Sequence, residues 1–130
     1  MGLLRRKGAA AKSARQRTAQ VERLRAQWEE HMARLPPHQS GRAEFVECRA
    51  QAAEFDIRAS RFVGAVLAGH GQGLQAPDTQ DARRVVLALL NAATEAQDEA
   101  EIDEAGFHIA SLDEAAFILE DAQRLQSGLG

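Results

Sequence analysis

The chain's 130 residues suffice for one small domain, and although 45% are hydrophobic, the 5 Phe, 1 Trp and absent Tyr leave alanine to supply much of the core. The net charge of −3 hides a sorting by position: residues 1–62 carry 13 Lys or Arg against 7 Asp or Glu, whereas residues 63–130 carry 3 against 12. This excludes a whole-surface binder of nucleic acid, the single Cys48 excludes an internal disulfide, and no run reaches the roughly 20 apolar residues of a membrane span.

Residues 1–17 form a basic arm with Arg5, Arg6, Lys7, Lys12, Arg15 and Arg17, and no acid precedes Glu22. No apolar signal-peptide core follows Arg5, Arg6 and Lys7, and although the arm's Arg and Ala content also suits an organelle transit peptide, it runs unbroken into a patterned helix. The expected compartment is the cytoplasm. Helix one is expected from near Ala10, with Val21, Leu24, Trp28, His31 and Leu35 on one stripe at spacings of three and four, until Pro36 and Pro37 end it.

After the turn at residues 36–41, Phe45, Cys48, Ala52, Phe55, Ala59, Phe62 and Val66 repeat the same alternation, the strongest periodic signal in the chain. Two such stripes joined by a short turn predict an antiparallel helical hairpin over residues 18–67, packed like a short coiled coil. Cys48 falls within the second stripe and reads as a small core residue.

Residues 68–78, with Gly69, Gly71, Gly73 and Pro77, read as a linker, because each glycine costs a helix about 1 kcal/mol. Residues 79–130 then predict an acidic helical pair. Helix three starts at Asp78 or Thr79, and its uninterrupted run Val85, Val86, Leu87, Ala88, Leu89, Leu90 suggests burial on nearly all sides. Gly106 is expected to interrupt the acidic segment that follows, with an extended piece permitted at residues 106–110. A last helix should begin at Ser111, capped through Glu114. The predicted fold is all-α: a small four-helix arrangement built on the hairpin, with the basic arm appended.

No constellation for catalysis is visible. Cys48 lies amid apolar spacing, and Gly69, His70, Gly71, Gln72 and Gly73 lack the Lys and Ser or Thr of a phosphate loop. The four histidines lack paired metal-ligand spacing, and aligning Gly106 with the turn glycine of a calcium loop puts Leu112 where a bidentate Glu is required. Neither a metal nor a cofactor is expected. A helix-turn-helix over residues 102–125 is rejected because its second helix carries Asp113, Glu114, Glu120 and Asp121 against a lone Arg124.

The expected function is therefore that of a non-enzymatic helical accessory protein. Arg5, Arg6, Lys7, Lys12, Arg15 and Arg17 would neutralise phosphates of nucleic acid or another polyanion by backbone contact, since no aromatic residue is interleaved for base stacking. The acidic residues Asp98, Glu99, Glu101, Asp103 and Glu104 would contact a protein partner. The alternative is an assembly module with no nucleic-acid role, in which the basic half of one copy docks on the acidic half of another or on a larger complex. Complementary halves and a thin core favour a homo-oligomer.

Overall fold

The computed structural model describes residues 2–35, 41–70 and 72–129, with side chains described over 14–128 outside the two breaks; the expected turn at residues 36–40 and Gly71 of the linker lie outside the described residues. Four helices make up the small all-α bundle, α1 (Gly2–Ala33), α2 (Ala43–Leu67), α3 (Thr79–Glu95) and α4 (Glu99–Leu129), and no strand occurs among the described residues.

α1 begins well before Ala10, so the basic arm is a helical extension. Leu, Arg, Lys and Ala there are all good helix formers, opposed inside the segment only by Gly8. Its expected stripe is the one that packs: Leu24, Trp28 and His31 are buried, and Val21 and Leu35 half-buried. On α2 every expected stripe residue is buried except Ala52, which is half-buried. α2 ends in a Schellman motif, in which Gly69 takes φ +78°, its N–H donates to Val66 O, and the His70 N–H donates to Ala65 O at 2.8 Å.

α3 starts as the sequence predicts, with Asp78 Oδ1 accepting the Gln80 N–H at 2.9 Å. Its apolar run is not buried all round. Val86 and Leu89 are buried, Val85 and Leu90 half-buried, and Leu87 and Ala88 exposed, because α2 and α4 cover only one side of the helix. Gln97 and Asp98 close α3 with the same Schellman pattern that ends α2, through N–H groups donating to Thr94 O and Ala93 O, although Gln97 must adopt φ +55° to do so. Asp98 then caps α4, its Oδ1 accepting the Glu101 N–H at 3.2 Å.

The expected break at Gly106 and the start at Ser111 are both corrected, since α4 runs through both positions and residues 106–110 are helical rather than extended. A helical glycine costs about 1 kcal/mol. Ala105 and His108 on either side of it are buried, so tertiary packing carries the helix through the glycine.

α4 is the common support. α3 folds back on it across the tight turn at residues 96–98, with Arg83 paired to Asp113. α1 lies antiparallel along its C-terminal half, where Arg17 meets Gly128 and His31 meets Glu114. α2 runs in the same direction as α4, with Arg42 on Glu101 and Arg49 on Glu104. α1 and α2 touch through Trp28 Nε1, which donates to Ser60 Oγ at 3.3 Å, but their mutual contact is the least extensive in the bundle. The antiparallel pair with a short turn and the broadest contact is α3 with α4. Two core clusters form, one around Trp28, Phe55, Phe62 and Leu119, the other around Phe45, Cys48, Leu89 and Ala105, and both draw on both halves of the chain.

Candidate functional site

Residues 14–20 of α1 are all exposed, and the segment touches the end of α4 through Arg17 before Val21 joins the core. Arg15 and Arg17 are exposed, and Arg17 donates to Gly128 O at 3.3 Å. Arg5, Arg6, Lys7 and Lys12 lie on the backbone of the same helix, their side chains outside the described residues. Arg5, Lys12 and Arg23 are spaced by seven and eleven residues, intervals that return to nearly the same helical face.

Between α1 and α4 runs an open groove of about 420 Å³, lined by Gln16, Arg17, Gln20 and Arg23 on one side and Asp121 and Arg124 on the other. Arg124 pairs with Asp121 at 3.2 Å and remains exposed. The groove therefore extends the cationic surface of the arm onto the body and adds Arg23 and, from the acidic half, Arg124.

The five acidic residues do not form one surface. Asp98 is a helix cap, whereas Glu99 and Asp103 are exposed. Glu101 and Glu104 are buried, Glu101 held by Arg42, the residue that precedes α2, at 2.9 Å and Glu104 by Arg49 within α2 at 3.1 Å. The buried His108 follows one turn after Glu104. These side chains belong to a heptad-like stripe, Glu101, Glu104, His108, Leu112, Ala115, Leu119 and Ala122, that was present in the sequence as spacing. Charged residues at its core positions concealed it.

Next to this network, Cys48, Ala52, Ala82, Val85, His108 and Leu112 enclose part of a cavity of about 150 Å³. Burial pushes the Cys48 thiol above its ordinary pKa, Glu104 pushes it further, and Arg49 partly offsets both. The thiol is thus held away from the thiolate, the nucleophilic form. A third polar feature ties α1 to α4: the buried His31 shares a 2.8 Å Nδ1–Oε1 hydrogen bond with Glu114, whose other oxygen accepts from Arg34 at 3.1 Å. Among the described residues no three His, Cys, Asp or Glu side chains are placed to hold a metal ion, and no helix is long and apolar enough to cross a membrane.

No protein-family model, curated protein or solved structure matches this chain.

Proposed function

We propose that the protein is a non-enzymatic helical accessory protein that binds the phosphate backbone of nucleic acid, or a polyanion of like charge density, along α1, while its acidic C-terminal half contacts a protein. The observation that carries this reading is the basic extension of α1, exposed over residues 14–20 and continuous with the groove that holds Arg23 and Arg124. A helix of this kind delivers cations to phosphates by position and charge, without base readout. The protein-contacting role of α4 draws support from Phe107 and Phe117, which are 57% and 60% exposed there among acidic neighbours.

Fluorescence anisotropy with labelled duplex and single-stranded DNA and RNA, titrated with salt, tests the reading. Binding should weaken steeply with salt, by close to one logarithmic unit per tenfold salt for each phosphate neutralised on duplex. The triple change Arg15→Glu, Arg17→Glu, Arg23→Glu should abolish it. Absence of binding at low salt, or binding indifferent to both salt and the triple change, would overturn the proposal.

A further inference from the structure

α2 carries a second heptad stripe that the bundle uses only at Ser60. Val46, Ala50, Ala53, Ile57, Ser60 and Gly64 follow one another at alternating spacings of four and three, interleaved with the core stripe that starts at Phe45. Val46 and Ile57 are 52% and 54% exposed, Ala50, Ala53 and Gly64 are exposed, and Ser60 is half-buried beneath Trp28. An outward seam with coiled-coil spacing, made of two large apolar side chains separated by small ones, has the form of a helix-packing surface.

The charges beside the seam specify its occupant. Glu47 and Arg61 are both exposed, and neither has an ion-pair partner among the described residues, whereas Glu54 between them is already held by Arg58 at 2.8 Å. Glu47 and Arg61 stand seven residues to either side of Glu54. A parallel copy of α2 would set Glu47 against Glu47 and Arg61 against Arg61. An antiparallel copy related by an axis between Ala53 and Glu54 lays Ile57 over the small Ala50 and brings each Glu47 within one residue of level with an Arg61.

We infer that this face is the docking surface for a second copy of the chain, the two α2 helices packing antiparallel about a two-fold axis beside Ala53. The contact involves residues of the basic half only, so it is independent of the binding role of α1 and differs from docking of one copy's arm on another's acidic half. It also brings two basic helices into one particle.

Sedimentation velocity on the 130-residue chain over roughly three decades of concentration is the test. The wild type should pass from monomer to dimer, and Ile57→Glu should remain monomeric at concentrations where the wild type is dimeric. Arg61→Glu should weaken the dimer about tenfold or more, and the exchange Glu47→Arg with Arg61→Glu should restore most of that loss. Ala53→Cys, in a chain that keeps its folded wild-type surface, should form a disulfide-linked dimer on mild oxidation. A wild type that stays monomeric throughout overturns the inference. So does a dimer that survives Ile57→Glu, one that gains nothing from the charge exchange, or one that forms without cross-linking through position 53.

Discussion

Replacing Arg49 with Met removes the guanidinium that sits 3.1 Å from Glu104 while keeping a side chain of similar reach and good helix propensity. Glu104 is 2% exposed, so the carboxylate left behind has almost no access to water. Breaking a buried pair from one side typically costs 3–5 kcal/mol, and because Arg49 itself is 19% exposed, the lower end, about 3 kcal/mol, applies. A chain of this size loses roughly 4 °C of melting temperature per kcal/mol, so the transition should fall by about 12 °C. Adding Glu104→Leu should recover most of that loss, because two apolar side chains incur none of the desolvation of two ions. Urea and thermal melts of the wild type, the single and the double variant supply the numbers. A single-variant loss under about 1 kcal/mol, or a double variant no better than the single, would show that the pair is solvated and refute the reasoning.

Phe55→Ala should cost about 3–5 kcal/mol in the same melts, since Phe55 joins α1, α2 and α4 in one core cluster; a loss under about 1 kcal/mol would contradict that placement. The two helix-boundary findings predict opposite glycine exchanges. Gln97→Gly should stabilise by about 1 kcal/mol by relieving its φ of +55°, and Gly106→Ala should stabilise by about 0.5–1 kcal/mol, because a methyl group there meets nothing within 4 Å; destabilisation by the alanine would mean that α4 breaks at that point. Burial raises the Asp56 carboxyl above its ordinary pKa, and the charge of His31 only partly opposes this. A raised folded-state value means that the folded chain holds the proton more tightly, so this contribution to stability is present below the ordinary Asp range and is lost as the pH rises through the raised value. Asp56→Asn should therefore stabilise the protein at pH 7 and change little at pH 3, and urea melts showing the reverse order would reject that account.

The helical stripes of α1 and α2 were legible because their residues are apolar and evenly spaced: Leu24, Trp28, Phe45, Phe55 and Phe62 stand where their periodicity places them. Asp78 announced α3 for an equally local reason, a side-chain oxygen two residues from the N–H it accepts. α4 was misread because glycine is a poor helix former and because the Ser111–Glu114 pair forms an attractive local cap, whereas burial on both sides of Gly106 is a tertiary effect. The same limit governed the acidic residues. Asp103 and Glu99 face solvent as any acidic helix residue is expected to, but Glu101 and Glu104 are internal because Arg42 and Arg49 approach from the start of α2 and the residue before it, more than fifty residues earlier, and spacing within α4 carries no record of that. Arg124 reads in the sequence as a lone cation for a related reason: its surroundings there are acidic, and its cationic neighbours arrive from α1.

Arg34 with Glu114, Arg42 with Glu101 and Arg49 with Glu104 each join a cation of residues 1–62 to an acid of residues 63–130. The uneven distribution of charge along the chain is therefore spent partly inside the molecule, where its two ends in sequence must find each other across as many as 80 positions. Before any of these contacts exist, the two segments are oppositely charged polymers in water, attracted over roughly the 8–10 Å screening distance of physiological salt. Salt weakens that attraction while the halves are still apart, yet has far less hold on Glu104 once it is enclosed. Rising ionic strength should accordingly slow refolding much more than it hastens unfolding, making the charge asymmetry a determinant of how quickly the bundle closes.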